Sequence, residues 1–473
     1  MNFKPIFYVN GILLLILSVA MLLPAMVDLA GSSSDWRVFA GAQIITAFFG
    51  FALIFMNQQK KFHMTAKETF VMTVLSWIII AGFAALPFCF SEIHLSYSNA
   101  FFEAMSGITA TGSTVITGLD HLPHGILFWR SLLHWLGGIG FLIVALAIFP
   151  MLQISGMQLF KTQSFEVAKV MPSAVQMAVY IVLIYVFMTL ACVALLHAVA
   201  GLDLFVAVCH AMGAISTGGF STSDASIGHF RNPGAEAILA VFMILGSLPF
   251  ALYLRVTKGD WAALLKDSQV GAFLTIICVL TGITVFWLTA TGQLPFLYAV
   301  RSALFMIVSF ITTTGFFAAD YNTWGHFVVG IAFLAVFLGA CSGSAGGGIK
   351  TFRLQILSMM VQQQGRQLML PNGLFQVHYN GKIIRPNVQA AVGGFLFVYF
   401  MSWMVVSMLL QMSGMESMRA FMSALTALSN TAAAGNFEGL DPAPIWILTT
   451  AMLLGRLEFM TVLVLLMPRF WRN

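Results

Sequence analysis

Four glycines recur along the chain at matching positions of a repeated pattern, and their neighbours indicate a shared chemistry. Gly112 ends the run SGITATG, Gly218 the run GAISTG, Gly315 the run SFITTTG and Gly435 the run SNTAAAG, at spacings of 106, 97 and 120 residues. Glycine adopts positive φ without steric cost, so a short segment can turn successive carbonyl oxygens to one side. Such oxygens can replace the hydration shell of an ion. These residues therefore predict binding of a dehydrated cation by the main chain.

Each of these runs ends a short apolar stretch, near 98–109, 203–215, 295–311 and 416–430. A helix carries about half a negative charge at its C-terminus, so four such ends around one axis would favour a cation. An acidic residue follows each glycine within eight positions: Asp120, Asp224, Asp320 and Glu438. In a single copy, threonine and glycine would equally suit close packing of membrane helices. Four copies at the same place in a repeat favour the cation site.

The elements that must position these segments are membrane helices. Of the 473 residues, 59% are hydrophobic and 8% charged, whereas soluble domains have about 25% charged residues. The five cysteines form no C-x-x-C pair, so neither a disulfide framework nor a zinc site is indicated. A span needs about 20 apolar residues. Ten stretches qualify: 6–27, 38–56, 69–90, 126–150, 175–200, 235–256, 270–290, 326–362 (interrupted), 389–412 and 444–467.

The predicted fold is all-α and integral to the membrane, with ten spans and four re-entrant hairpins in a pseudo-fourfold arrangement. Two additional helices (1–60) precede four pore repeats at 61–160, 161–265, 266–370 and 371–473, and the third repeat contains a gating loop at 340–349. When the N-terminus is placed in the cytoplasm, 16 of the 22 Lys and Arg residues fall on the cytoplasmic side. This distribution follows the positive-inside rule, so both termini are predicted to be cytoplasmic.

The run GACSGSAGGGIKTF (339–352) interrupts one of the apolar stretches. It is not a phosphate-binding loop, because Ile349 separates Gly348 from Lys350, and that motif requires lysine directly after glycine. Each glycine costs a helix about 1 kcal/mol relative to alanine, and non-helical backbone in a membrane must face water or protein. We therefore expect a flexible loop that gates an ion path, with a structural kink as the alternative.

Arg456 lies near the middle of the last apolar stretch. An arginine at this depth costs about 2.5–3.5 kcal/mol on insertion scales, and an intramembrane charge indicates a functional site. Glu458 lies two positions away and off the same helical face, so we do not expect a local ion pair. The remaining structural alternative to a functional role is a hydrogen bond from Arg456 to a backbone carbonyl.

The sequence resembles the superfamily of Trk, Ktr and HKT potassium transporters, and it is most similar to the bacterial Trk branch. The resemblance covers nearly the whole chain and rests on FFEAMSGITATGSTVITGLDHLPHGILFWR, ISTGGFSTSDASIGHF, GACSGSAGGGIKTFR and LLGRLEFMTVLVLLMPRFW. It implies one potassium pore per chain, a homodimer, a place in the bacterial cytoplasmic membrane, and regulation by a cytosolic nucleotide-binding ring, TrkA. Potassium is the implied transported ion, and no cofactor is implied.

The resemblance also implies which residues form the pore. Glycine at the end of all four segments resembles the potassium-selective pattern, although NTAAAGN in the fourth repeat departs from the usual family sequence. The implied potassium-binding filter comprises Thr109, Ala110, Thr111 and Gly112; Ile215, Ser216, Thr217 and Gly218; Thr312, Thr313, Thr314 and Gly315; and Ala432, Ala433, Ala434 and Gly435. The implied gate comprises Cys341, Ser342, Gly343, Ser344, Ala345, Gly346, Gly347 and Gly348, with Lys350 and Arg456.

The predicted function is therefore potassium uptake through this filter, with proton- or sodium-coupled potassium symport as the alternative. A coupled symporter would need a second ion site, formed by acidic or histidine side chains away from the pore axis. We find no paired catalytic constellation in the sequence, so an enzyme is not expected.

Overall fold

The computed structural model describes residues 1–58, 64–148, 174–433 and 435–472. The predicted filter residue Ala434 lies outside the described residues, as do the predicted repeat boundaries near residues 60 and 160. The described chain is almost entirely helical. Its one sheet is a two-stranded antiparallel hairpin of His378–Tyr379 and Lys382–Ile383, which lies within the polar interval that the sequence predicts as a loop.

Seven described helical segments are long and apolar enough to cross a membrane, and each lies on a predicted span. Local capping fixes some of their ends: Thr65 and Glu68 form a capping box, and Asp267 caps the segment that follows it. The seven segments are Lys4–Ala30, Trp36–Met56, Ala66–Phe90, His124–Leu146, Val175–Ala198, Ser268–Ala290 and Pro386–Met412.

Three further predicted spans are broken in the structure. Pro233–Gly246 and Phe250–Val256 meet at a bend of 92°, and Pro442–Arg456 and Met460–Leu466 meet at a bend of 114°. The third is His326–Leu338, which leads into an irregular segment before Thr351–Met369 begins. We call this irregular segment, residues 339–350, the Gly/Ser loop. If each bent pair counts as one span, the described residues contain up to nine spans.

Four short helices lie where the sequence predicts short apolar helices. Each packs against the long helices that precede and follow it, and each also contacts the second long helix of the preceding repeat, so that the fourth repeat closes on the first. Their ranges, in order as short helices 1 to 4, are Tyr97–Ile108, Leu204–Ile215, Phe296–Ile311 and Ser417–Ser429. The repeats of the sequence therefore form a closed ring.

The two N-terminal segments pack beside the ring and outside it. A Cβ on Gly11 would lie 2.8 Å from the carbonyl oxygen of Gly50, so glycine lets the two segments approach closely. Asp28 accepts a hydrogen bond of 2.6 Å from the backbone N–H of Gly125, at the start of a helix in the first repeat. These contacts attach the additional helices to one side of the first repeat.

The remaining described helices are short connections and terminal turns. They link the long segments or end the chain, and none contributes to the ring of short helices. Their ranges are Leu119–His121, Ser226–Phe230, Ala262–Lys266, Tyr321–Trp324 and Pro468–Arg472. A π-helical turn, Val144–Ile148, ends the segment that begins at His124.

Candidate cation site and gate

The chain leaves each short helix through the same backbone conformation. Within two residues of the end of each short helix, one residue takes a left-handed φ. The values are +52° at Ala110, +54° at Thr217, +61° at Thr313 and +53° at Asn430. The next residue then donates its N–H, over 2.9 Å in all four repeats, to the carbonyl five positions earlier. The donors are Thr111, Gly218, Thr314 and Thr431. Four sequences of different composition thus share one turn.

This shared turn defines four equivalent segments: 109–112, 216–219, 312–315 and 429–432. The first and third coincide with the predicted segments. The second is shifted by one residue, because Ile215 still belongs to the short helix and Gly219, not Gly218, has a φ of +81°. The fourth is shifted by three residues. Gly435 has a φ of +83°, but a Cβ there would meet nothing within 4 Å, so it lies outside the close contacts of the ring.

The four segments touch one another in cyclic order. A Cβ on Gly112 would lie 2.0 Å from the carbonyl oxygen of Gly218 and 2.9 Å from the Cβ of Ala432. A Cβ on Gly219 would lie 1.8 Å from the carbonyl oxygen of Thr314, and one on Gly315 would lie 2.6 Å from the Cβ of Ala432. No real Cβ tolerates contacts this short, so glycine is required sterically where the segments meet.

The ring that these four segments form presents carbonyl oxygens to which few protein donors bond. The N–H groups of its turns are used by the preceding helices, and the hydroxyl groups pair with each other, at 2.7 Å between Thr109 and Thr111 and 2.8 Å between Thr312 and Thr314. Within the described part of the chain, no donor bonds to the carbonyl oxygens of 109–112, 217–219, 312–315 or 430–432, whereas the carbonyl of Ser216 accepts from the hydroxyl of Thr217 at 2.7 Å. Buried carbonyls are normally satisfied, so this cluster of free oxygens suits a cation.

The Gly/Ser loop lies directly against one end of this ring. The N–H of Gly347 donates to the hydroxyl of Thr313 at 2.7 Å. A Cβ on Gly346 would lie 2.9 Å from the carbonyl oxygen of Thr312, and one on Gly347 would lie 2.0 Å from that of Ser429. The loop therefore covers the side of the ring that is next to the ends of the short helices.

The bend in the second repeat holds the other side of the loop. Phe250 donates its N–H to the carbonyl of Gly343 at 2.9 Å, and Cys341 donates to the carbonyl of Ser247 at 3.2 Å. The N–H of Ser342 is bound by the side chain of Gln269 at 2.7 Å. The loop is thus attached by a few hydrogen bonds that involve irregular backbone on both sides.

Two buried cationic side chains donate to carbonyls of the loop, one from the fourth repeat and one from the last residue of the loop itself. Arg456 donates to the carbonyl of Ala345 at 2.8 Å, and its guanidinium lies 4.2 Å from the ring centre of Phe141. Lys350 donates to the carbonyl of Gly346. Glu458 pairs with Arg353 and not with Arg456, in agreement with the expectation from helical spacing. Arg456 therefore joins the fourth repeat to the loop through a backbone carbonyl.

A family model for TrkH, described as cation transport protein, matches residues 36–472. The chain belongs to the TrkH family. The Trk system potassium uptake protein TrkI of Halomonas elongata is 36% identical over 483 residues, which cover 100% of this chain and 98% of that protein. The Trk system potassium uptake protein TrkH of Escherichia coli is 34% identical over 489 residues, with 100% of both chains covered.

The fold comparison agrees with the family model. The crystal structure of the potassium transporter TrkH from Vibrio parahaemolyticus matches with a TM-score of 0.93 and 32% identity, over 100% of both chains. The resemblance predicted from the sequence is thereby confirmed. The TrkH family consists of cation transport proteins, so this chain is a multi-pass membrane transport protein and not an enzyme.

A buried ion pair behind the first two segments of this TrkH-family ring was not predicted. Arg130 Nε lies 2.7 Å from Glu103 Oε1, and both side chains are almost fully buried. Glu103 also accepts from the N–H of Val115 at 3.1 Å, while Arg130 donates to the carbonyl of Ser221 at 3.1 Å. The pair connects the stretches of chain that leave the first and second segments. The one signal for this pair in the sequence is an acidic residue, Glu103, within a short apolar helix.

Replacing Glu103 with glutamine should destabilise this family member strongly. Removal of one charge leaves Arg130 buried without its counter-charge, a change that typically costs about 3–5 kcal/mol. We expect the free energy of unfolding, measured by denaturant titration in detergent micelles, to fall by about 3 kcal/mol. Glu416→Gln is the matched control, because Glu416 is exposed and its side chain caps no helix. Equal stability of Glu103→Gln and the parent protein would show that the pair does not support the ring.

Proposed function

We propose that this TrkH-family protein takes up potassium through the ring of four segments. The observation that carries the proposal is the cluster of buried carbonyl oxygens without donors, contributed by four repeats in cyclic order. Backbone carbonyls arranged in this way replace the hydration shell of a permeating ion. Relatives that match over the full chain are Trk system potassium uptake proteins, which supports potassium as the ion.

The proposed filter follows the geometric equivalence of the turns. It has two levels: the helix level contains Thr109, Ser216, Thr312 and Ser429, and the glycine level contains Gly112, Gly219, Gly315 and Ala432. The residues Ile215, Ala433 and Gly435 of the sequence prediction are left out of this filter. Ile215 is helical, and the other two follow the fourth turn.

The Gly/Ser loop is the proposed gate. It contacts the helix level through Gly346 and Gly347, and Arg456 donates to it from the fourth repeat. An ion that leaves the filter on that side would meet the loop and two cationic side chains, Arg456 and Lys350. Movement of the loop away from Ser429 and Thr313 would open the path, and loss of the cations would lower the electrostatic barrier.

The same proposal includes the membrane topology of the chain and its partners. Counting both bent pairs and the helix interrupted by the Gly/Ser loop as single crossings supports ten spans, with the four short helices re-entrant and both termini cytoplasmic. The four repeats, preceded by two additional helices, then surround one pore in each chain. The proposed partners are a second copy of this chain, which would form a homodimer, and a TrkA-like cytosolic nucleotide-binding ring. That ring would dock on the basic cytoplasmic loops that the positive-inside distribution of Lys and Arg provides.

The uptake of rubidium into proteoliposomes, with and without an imposed proton gradient, tests this function. We expect rubidium flux that responds to its own gradient and to voltage, and that a proton gradient does not drive uphill. This expectation rests on Glu103, Glu236 and Glu458, three buried acids that each face an arginine and so offer no free second ion site. Asp28, which is buried without an arginine partner among the described residues, lies in the N-terminal segments outside the ring. Uphill uptake driven by protons or by sodium would favour the symporter, and no flux at all would refute both.

Serine at Gly112 should weaken the selection of potassium over sodium. A Cβ there would lie 2.0 Å from the carbonyl oxygen of Gly218, so the first two segments must separate and their oxygens must leave their positions. We expect the ratio of rubidium to sodium uptake to fall by about tenfold, the effect of roughly 1.4 kcal/mol. Gly118→Ser is the matched control, because Gly118 has a φ of +70° but open space around it. An unchanged ratio in Gly112→Ser would place the selective oxygens elsewhere.

A further inference from the structure

The fourth segment differs from the other three at the glycine level. Gly112, Gly219 and Gly315 have φ values of +81°, +81° and +85°. Their equivalent is Ala432, which has no left-handed φ, and the next left-handed residue among those described in that repeat is Gly435. Alternation of right- and left-handed residues is what turns successive carbonyls to one side. In the fourth repeat this alternation stops after Asn430.

The side chain of Ala432 fills space that its neighbours leave open. Its Cβ would be 2.9 Å from a Cβ on Gly112 and 2.6 Å from one on Gly315, on the two segments that flank the fourth. A methyl group therefore stands at the glycine level where the other repeats have only backbone. Because interiors are closely packed, the fourth segment cannot turn in the same way as the others without displacing this methyl group.

A contact from the third repeat holds the fourth segment in its different path. The hydroxyl of Tyr321 donates to the carbonyl of Ala433 at 2.7 Å. Just beyond, the side chain of Asn436 donates to the carbonyl of Ile116 at 2.9 Å, and the N–H of Phe437 donates to the carbonyl of Thr114 at 2.9 Å. The carbonyl of Ala433, one position beyond the glycine level, is thus satisfied by protein, as is the equivalent carbonyl of Phe316 in the third repeat, which accepts from the hydroxyl of Ser309 at 2.6 Å. The difference of the fourth segment therefore lies in Ala432 itself.

We propose that an ion at the glycine level is coordinated by three repeats instead of four, and that Ala432 is the residue that sets this asymmetry. The inference rests on the proposed function and specifies the selectivity of the same filter. Selection between potassium and sodium depends on the number and field strength of the coordinating carbonyls. On the side of Ala432 the ion keeps part of its hydration, so this level discriminates less between the two ions than a complete ring would.

The substitution Ala432→Gly tests the inference. Glycine removes the methyl group and permits a left-handed φ, so the fourth carbonyl can join the ring. We expect the ratio of rubidium to sodium uptake in proteoliposomes to rise about fivefold over the parent protein, because the glycine level would gain a fourth ligand. Ala225→Gly, in an exposed loop of the second repeat, is the matched control and should leave the ratio unchanged.

The outcomes separate this inference from the function on which it rests. If the parent protein carries no rubidium, the proposed function fails and the inference fails with it. If the parent carries rubidium and Ala432→Gly has the parent's ratio, the function stands and the inference alone is overturned. A fall in the ratio would also overturn it.

A second measurement needs no variant. In crystals of the unaltered protein grown with thallous ion, the density at the glycine level should be weaker than the density at the helix level, where all four repeats share the same turn. Equal density at the two levels would contradict threefold coordination, whether or not Ala432→Gly folds.

Discussion

Replacing Gly219 with alanine is expected to reduce rubidium uptake by about tenfold or more. Gly219 has a φ of +81°, and a Cβ at this position would lie 1.8 Å from the carbonyl oxygen of Thr314 on the neighbouring segment. An overlap of this size cannot be relieved by a side-chain rotation, because the group that it meets is backbone. The second and third segments must therefore separate, and the oxygens that replace the hydration shell are lost from both.

The expected loss is at least tenfold in the initial rate of rubidium uptake, since overpacking of this kind costs about 1–3 kcal/mol. Gly201→Ala is the control that separates the steric overlap of an added Cβ from the strain of a left-handed φ in alanine. Gly201 has a φ of +69°, yet a Cβ there would meet nothing within 4 Å. Its variant should transport at nearly the parent rate. If Gly219→Ala also transports at the parent rate, the contact between the two segments is not part of the ion path.

Replacing Arg456 with methionine is expected to increase ion flux in the absence of any cytosolic partner. The arginine donates to the carbonyl of Ala345 in the Gly/Ser loop at 2.8 Å, and methionine keeps a similar volume without the donor or the charge. Hydrogen bonds from charged groups contribute about 1.5–3 kcal/mol. Their loss should shift the loop towards open positions and remove a positive charge from the path.

We expect the basal rubidium flux of this variant to rise about tenfold or more, as a shift of roughly 1.4 kcal/mol would produce. The ratio of rubidium to sodium should stay unchanged, because the filter is not altered. Arg366→Met is the control for loss of a positive charge at an exposed position. A flux equal to that of the parent, or a changed ion ratio, would contradict the assignment of Arg456 to the gate.

The helices, and the turns in two of the four repeats, could be predicted from the sequence because each rests on a local signal. Long apolar stretches specify the membrane segments, and a single glycine after threonines specifies the turns at Gly112 and Gly315. The second repeat offers two adjacent glycines, Gly218 and Gly219, and residue type cannot distinguish them. Only the hydrogen bond from Gly218 to the short helix decides which glycine is left-handed.

The fourth segment and the ion pair could not be predicted for a different reason. In the fourth repeat the glycine of the predicted segment, Gly435, lies beyond the turn, and Ala432 occupies the position equivalent to Gly112, so its residue type does not mark the turn. The pairing of Glu103 with Arg130 depends on how a short helix packs against the long helix that follows it. Such contacts between elements are set by tertiary packing, which residue spacing along the chain does not encode.

We expect oxygens from four equivalent turns to bind a dehydrated potassium ion on one axis. Anomalous scattering from crystals grown with rubidium in place of potassium tests it most directly. We predict a peak enclosed by the helix level, within coordination distance of carbonyl oxygens from all four repeats. Rubidium density elsewhere in the protein, with none between the four turns, would contradict the account.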